Sequence, residues 1–198
     1  MISLIRRILL FLSKLKNKVK FSVHGIKYGR NLCIHGHLPL RKASNGSITI
    51  GDNFYLSSGI HLNPLSRNLE GYICCNSNAQ LYIGNNVSMS STVIWAHKNI
   101  HIGNNVMCGS NVVIMDSDAH SMNYLDRRNL LLDMKNKKDD PITIGDDVFI
   151  GMNSIILKGV SIGSRTIIGA GSVVTRSIPS DCIACGNPAQ IIKRNLNS

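Results

Sequence analysis

The sequence has few aromatic residues, no acidic residue before position 52 and no long hydrophobic run. Aromatic side chains make up 5% of the 198 residues whereas 43% are hydrophobic, so the core must be mostly aliphatic. The apolar run from Ile8 to Leu12 is too short for a secretory signal, and no small-residue cleavage site follows it. These absences favour one domain in the reducing cytoplasm, where the six cysteines would not form a disulfide framework.

The positive charge is concentrated near the N-terminus. Ten of the 22 Lys and Arg residues lie in residues 1–51, and Asp52 carries the first carboxylate. The rest of the chain is nearly neutral, so the net charge of +11 belongs to an N-terminal arm. We expect no nucleic-acid partner.

A six-residue repeat predicts the fold. Six residues fit one short strand and a corner, so three units carry the chain once round the molecule. Ile144 and Ile162 would then stack at about 4.8 Å, and neighbouring coils would bury each other's inner face. The period predicts a parallel β-helix over residues 23–180. From Ile144 the consecutive units are IGDDVF, IGMNSI, ILKGVS, IGSRTI, IGAGSV and VTRSIP.

Two stretches interrupt the period, one around residues 67–80 and the other at residues 116–141. A long excursion from a regular solenoid is more often functional than accidental, so we expect the second one to serve the site. Residues 181–198 are predicted to form a C-terminal cap and tail.

Residues 1–22 predict a basic amphipathic helix with one apolar stripe. Two roles are open for this helix. Residues 1–20 could contact an anionic membrane surface, or the stripe could pack across the open end of the first coil. The stripe consists of Ile5, Ile8, Leu12, Leu15 and Val19.

Two segments resemble the bacterial hexapeptide-repeat acetyltransferases, which include the maltose, galactoside and nodulation-factor O-acetyltransferases. The first is DSDAH at residues 116–120. The second is the run from PITIGDDVFIG through IGAGSVVTRSIP to GNPAQIIK, at residues 141–193. The resemblance covers roughly residues 48–194 and implies a left-handed coil, against the usual right-handed preference for parallel crossovers. Overall, the chain is similar to the acetyltransferases of lipopolysaccharide and capsule synthesis.

This resemblance implies an acetyl-CoA-dependent O-acetyltransferase that acts by direct transfer and needs no metal. His120 matches the catalytic histidine, and an imidazole suits proton removal near neutral pH. Asp116 or Asp118 is expected to orient its ring, and alternation along the chain favours Asp118. The acceptor is expected to be a sugar hydroxyl of a surface polysaccharide or its lipid-linked precursor, which could place the enzyme at the inner face of the membrane.

The resemblance also implies the binding residues and the assembly. Ser90 stands where sugar acetyltransferases of this group carry asparagine, which argues against simple maltose or galactoside acceptors. His97 is expected to line the acceptor pocket. The family binds coenzyme A between neighbouring subunits, which implies a homotrimer. By position, the pantetheine arm would contact Met152 and Ala170, and the nucleotide end would contact Thr175, Arg176 and Lys193.

Three other functions fit a solenoid of this kind. An N-acetyltransferase that acts on an amino sugar would share the donor site. A γ-type carbonic anhydrase would need three histidines converging on zinc, for which His97, His101 and His120 are the candidates. A non-catalytic scaffold would not need the DSDAH segment or the basic donor positions.

Overall fold

The computed structural model describes residues 2–59 and 62–194. For residues 2, 3 and 6 it describes the backbone only. Parallel sheets run along the molecule as the three faces of a prism, and successive strands pass from one face to the next. This arrangement confirms the predicted all-β architecture, a left-handed parallel β-helix with an N-terminal helix and a long loop excursion.

The first face contains β1 Lys27–Tyr28, β4 Ser47–Ile50, β7 Gln80–Ile83, β10 Asn99–Ile102, β13 Ile142–Ile144 and β16 Ser161–Ile162. The second face contains β2 Cys33–Gly36, β5 Tyr55–Ser58, β8 Ser88–Ser90, β11 Met107–Ser110, β14 Phe149–Ile150, β17 Ile167–Ile168, β19 Cys182–Gly186 and β20 Ala189–Arg194. The third face contains β3 Leu40–Lys42, β6 Tyr72–Cys75, β9 Val93–Ala96, β12 Val113–Met115, β15 Ile155–Ile156 and β18 Val173–Val174.

The strand register follows the repeat. Ile144 pairs with Ile162 in β13 and β16, as the period predicts, and Ile150 pairs with Ile168 one face further on. All four side chains are buried in the core that the three faces enclose. Each buried isoleucine stabilises the stack by about 1.5–3 kcal/mol, so the ladder is the main cohesive element of the fold.

The corners use glycine for space and asparagine for backbone conformation. A Cβ on Gly103 would lie 2.5 Å from Oδ1 of Asp146, so the neighbouring coil leaves room only for hydrogen. The left-handed backbone angle falls two residues after such a glycine, at Asn86 and Asn105 for example. These two asparagines also share a side-chain hydrogen bond of 3.0 Å, which links adjacent coils at the corner.

The first excursion differs from the predicted interruption, whereas the second spans the predicted residues 116–141. The stretch 67–80 is partly regular, because it contains β6 and the start of β7. The first excursion lies earlier instead, between β5 and β6, with a short 3-10 helix at Pro64–Ser66. The second leaves after β12 and returns at β13, and it contains a 3-10 helix at Asp126–Arg128 and the helix α2 at Leu130–Asn136.

Each end of the solenoid is covered. Helix α1, Ile2–Val23, precedes the first coil and packs on β2, and Phe21 is fully buried there. None of the described helices is long and apolar enough to cross a bilayer. At the other end, β19 and β20 form an antiparallel hairpin that pairs with β17, so the last coil edge is partnered. Residues 195–198 of the predicted tail lie outside the described residues.

Candidate active site

His120 lies in the second excursion, close to where it leaves the solenoid, and its ring binds a buried carboxylate. Nδ1 of His120 lies 2.6 Å from Oδ2 of Asp133. The His120 side chain is 67% exposed and that of Asp133 only 6%. The other oxygen of Asp133 accepts the backbone N–H of Ser121 at 2.7 Å. Asp133 therefore fixes the Nδ1 edge of the imidazole, while the opposite edge of the ring is exposed.

The charge state of Asp133 determines the tautomer of His120. The hydrogen bond from His120, together with that from the Ser121 N–H, holds the pKa of Asp133 below its usual range. An ionised carboxylate only accepts hydrogen bonds, so Nδ1 of His120 must carry the proton. In the neutral ring, Nε2 then has a free lone pair on the exposed side. This is the arrangement that a general base needs.

A network within the excursion positions Asp133. Asn129 caps α2, because its side-chain oxygen accepts the N–H groups of Leu131 and Leu132 at 3.0 and 3.3 Å. Asp126 accepts hydrogen bonds from the Ser121 hydroxyl and from Nδ2 of Asn136, both at 2.8 Å. The first and last parts of the excursion are thereby linked.

The predicted orientation of His120 by Asp118 or Asp116 is wrong in this geometry. Oδ1 of Asp118 lies 3.4 Å from Nζ of Lys158. Asp116 is fully buried, and its carboxylate accepts the N–H groups that begin β10 and the turn before it. The side chains of Asp118 and His120 would lie on one side of an extended chain. The chain is not extended here, because Ala119 has a left-handed backbone angle, φ 62°, which turns it between the two residues.

Asp133 was missed because the excursion has no regular period from which a contact could be inferred. The available signal was limited to an acidic residue four positions after Asn129, a helix-capping residue type. A capping asparagine is compatible with a short helix that begins after it. It does not predict which side of that helix faces His120.

Ser90 lies beside a cleft of about 280 Å³ that Asn63 and Pro64 of the first excursion also line. It is 9% exposed, and its hydroxyl belongs to a cluster of serines from neighbouring coils. Asn63 from the first excursion donates to its Oγ at 2.8 Å. The hydroxyls of Ser57, Ser66 and Ser110 lie 3.1–3.2 Å away. Because these groups already occupy its hydrogen-bonding capacity, an acceptor contact would have to replace one of them, and the substrate role of Ser90 stays a prediction.

His97 lines a cleft of about 450 Å³ between the third face and the second excursion. Its Nδ1 lies 3.0 Å from Nδ2 of Asn76 and 3.2 Å from Nζ of Lys137. Burial and the charge of Lys137 lower the pKa of His97, so the ring is neutral at pH 7. The cleft lining is mainly polar and basic, and comprises Arg41, Lys42, Ala43, Cys75, Asn76, Ser77, His97, Met134, Lys137 and Asp139.

Two buried polar atoms of this cleft lack a partner among the described residues. They are Nε2 of His97 and Oδ1 of Asp139. Buried polar groups are normally hydrogen-bonded, so these two atoms have unused hydrogen-bonding capacity. Met134, which also lines the cleft, follows Asp133 directly in α2. Helix α2 therefore connects the cleft with the His120 pair.

The predicted donor positions lie on the C-terminal coils. Met152 and Ala170 occupy stacked corners, and the N–H of Gly171 donates to the Met152 carbonyl at 2.8 Å. Thr175 and Arg176 are exposed in the segment after β18, and Lys193 is exposed in β20. Within the described part of the chain, neither Arg176 nor Lys193 forms an ion pair, so both cations are open to an anionic ligand.

The described residues contain no group of three or more His, Cys, Asp or Glu side chains that could hold a metal ion. His97, His101 and His120 thus do not converge within one chain. His101 stacks instead on the ring of Tyr82, with 4.7 Å between the ring centres.

The sequence matches a family pattern and several known proteins. The sequence pattern described as "Bacterial transferase hexapeptide (six repeats)" matches residues 141–176. WbbJ of Escherichia coli K12, provisionally named a lipopolysaccharide biosynthesis O-acetyl transferase, is 30% identical over 155 residues, which span 76% of this chain and 74% of WbbJ. A Saccharomyces cerevisiae protein, provisionally named an acetyltransferase, is 50% identical over 54 residues, which span 27% of this chain and only 28% of that protein.

Solved structures share the fold. A hexapeptide-repeat acetyltransferase of Vibrio cholerae, crystallised with acetyl-coenzyme A, superposes with a TM-score of 0.57. Its sequence is 24% identical, and the superposition covers 90% of this chain and 77% of that one. At this identity the likeness concerns the coil architecture alone.

Proposed function

Because the chain belongs to the bacterial hexapeptide-repeat transferases, a family of acyltransferases, we propose that it transfers the acetyl group of acetyl-CoA to a sugar hydroxyl. The observation that carries the proposal is the His120–Asp133 pair, in which a buried carboxylate binds Nδ1 and leaves Nε2 exposed. The name of WbbJ supports the O-acetyl chemistry and a polysaccharide acceptor.

The proposed reaction is a direct transfer. Nε2 of His120 takes the proton of the acceptor hydroxyl while its oxygen attacks the thioester carbonyl carbon. The carbon–sulfur bond then breaks, and the CoA thiolate receives the proton from His120, which gives an O-acetyl ester and free CoA. Asp133 keeps Nδ1 protonated and stabilises the imidazolium that forms in between.

Donor binding is proposed for the C-terminal coils. The stacked corners at Met152 and Ala170 offer backbone groups to the pantetheine arm. Arg176 and Lys193, with Thr175 beside them, offer exposed cations and a hydroxyl to the phosphates of CoA. The absence of ion pairs for these two cations among the described residues supports this assignment.

Acceptor binding is proposed for the cleft at His97. A sugar offers hydroxyls that could pair with the unpartnered atoms of His97 and Asp139. The cations Arg41 and Lys42 along the same cleft suit an acceptor that also carries an anionic group, such as a sugar phosphate, whereas Lys137 is paired with Asp139. A polysaccharide precursor in the cytoplasm has this chemistry.

A homotrimer is proposed because one chain presents an incomplete site. His120 lies on an open surface, and α2 beside it exposes 75% of Leu130 and 80% of Leu131. An adjacent solenoid would cover these side chains and close the donor groove. Light scattering on the purified protein tests this stoichiometry directly.

The function is tested by acetyl transfer from labelled acetyl-CoA to a panel of neutral sugars, sugar phosphates, nucleotide sugars and amino sugars. The proposal expects a labelled product with the wild type, and strongly reduced labelling with His120→Ala. Hydroxylamine releases acetyl esters and leaves amides intact, so it separates the O-acetyl product from that of an N-acetyltransferase. Failure to bind acetyl-CoA at millimolar concentration would leave the scaffold alternative.

A further inference from the structure

Helix α1 packs on the first coil through its polar face. Asn17 is 2% exposed, and its Nδ2 donates to the carbonyls of Ile34 and Gly36 at 3.3 and 2.9 Å. The Ser13 hydroxyl accepts the N–H of Gly36 at 3.2 Å. Lys20 donates to the carbonyl of Leu38 at 2.7 Å. These contacts, together with buried Phe21, satisfy the free edge of the coil and fix the rotation of the helix.

The apolar stripe of α1 consequently points away from the solenoid. At 100° per residue, Asn17, Phe21 and Ser13 lie on one side of the helix and the stripe lies on the opposite side. The predicted cap is present, but the predicted packing of the stripe against the coil is wrong. Along the outward side, the exposed fractions are Leu4 62%, Ile5 52%, Ile8 50%, Leu9 60%, Phe11 67%, Leu12 51%, Leu15 52% and Val19 56%.

Cations border the stripe on both sides. Arg7, Lys14 and Lys18 fall along one border of the stripe, and Lys16 falls along the other. Lys20 is held by the carbonyl of Leu38 in the first coil. No carboxylate occurs before Asp52, and Glu70 of the first excursion attracts Lys20, which the coil already holds. A continuous apolar face with cations on both borders matches a surface whose interior is apolar and whose headgroups are anionic.

We infer that the outward face of α1 binds an anionic lipid surface, with the helix lying in the plane of the headgroups and the solenoid standing away from it. The leucine and isoleucine side chains enter the acyl boundary, and the cations contact the lipid phosphates. A second copy of the chain fits this face less well, because pairing two such helices brings their cationic borders together. The inference does not depend on the proposed acetyl transfer.

The inference is tested by flotation of the full-length protein with vesicles of phosphatidylcholine, alone or with about 30% phosphatidylglycerol. The expected result is at least about tenfold stronger partitioning into the anionic vesicles, weakened by raising the salt from about 0.1 to 0.5 M. The double variant Ile8→Asp/Leu12→Asp should lose this binding. Both side chains are half exposed, so the fold should tolerate the change.

A matched control carries the same change in net charge elsewhere. Gln80→Glu/Ser161→Asp alters two exposed positions of the first face and should bind the anionic vesicles like the wild type. The inference is overturned if the wild type fails to bind anionic vesicles, or if the helix variant binds as well as the control.

Light scattering tests the remaining alternative, in which a second copy of the chain covers the outward face of α1. A helix variant with a smaller assembly than the control would identify the stripe as a contact between subunits and overturn the inference. Acetyl-CoA binding, measured on both variants, should remain within about twofold of the wild type. Loss of lipid binding can therefore be told apart from failure of the proposed transferase function.

Discussion

Asp133 lies thirteen residues after His120 in the chain and binds its Nδ1 at 2.6 Å, across a loop that returns through α2. The carboxylate is buried whereas the imidazole is exposed, so the pair is rigid on one side and accessible on the other. The N–H of Ser121 and the cap at Asn129 keep the carboxylate in place. The excursion thus supplies the carboxylate that orients His120, because among the described residues no carboxylate of the coil bonds to its ring.

The first prediction concerns this pair. Asp133→Asn should lower kcat by about one to three decades, because an amide cannot stabilise the imidazolium that forms during transfer. The KM for acetyl-CoA should change little, since the donor positions lie on the C-terminal coils. Initial rates with the acceptor from the screen measure both values. Asp118→Asn is the control and should retain most activity, so an equal loss there would contradict the assignment.

The second prediction concerns the donor. Arg176→Ala should raise the Kd for acetyl-CoA by about five- to thirtyfold, the loss expected for one cation in a charge-assisted hydrogen bond to phosphate. Isothermal titration measures it. Lys27→Ala removes an equally exposed cation from the first coil and should leave the Kd unchanged. If both variants weaken binding alike, net charge rather than a specific contact attracts the donor.

The third prediction concerns pH and His97. The pKa of His97 in the folded protein is lowered from its ordinary value of 6.5, mainly by burial and secondly by the charge of Lys137. Below that value the unfolded chain takes up a proton that folded His97 resists, so stability falls as the pH drops. The fall in Tm between pH 7.5 and 5.5 should be smaller in His97→Gln than in the wild type. Equal falls would show that His97 does not resist protonation.

The fourth prediction concerns a corner of the solenoid. A Cβ on Gly151 would lie 2.7 Å from Cα of Ala170 in the next coil. Gly151→Ala should therefore destabilise the fold by about 1–3 kcal/mol, the usual cost of overpacking. Urea unfolding measures it, with Ser161→Ala at an exposed strand position as the control. Because Met152 is adjacent, we also expect weaker acetyl-CoA binding, and an unchanged stability would contradict the close packing.

The fold was predictable because its information is local. The six-residue period determines the stacking of Ile144 on Ile162, and the pairing of β13 with β16 confirms it. The hand of the coil is not contained in the period and came from the family resemblance. The role of the corner glycines was also only partly predictable, since the left-handed angle falls on residues such as Asn86 and not on the glycine.

The site was less predictable, because its contacts join segments without a period. His120 stood out through its motif, but Asp133 reaches it only through the fold of the excursion. Ser90 matched a family position, yet Asn63 of the other excursion covers it. In α1 the stripe was evident from the sequence, whereas hydrogen bonds of Asn17 decide which face meets the coil.

His120 as the base is tested most directly by the rate of acetyl transfer in His120→Ala, measured beside the affinity of this variant for acetyl-CoA. We expect kcat to be lower by about two to four decades, the usual contribution of a general base, with a Kd within about twofold of the wild type. A variant that keeps wild-type kcat while binding acetyl-CoA normally would contradict the assignment of His120 as the base.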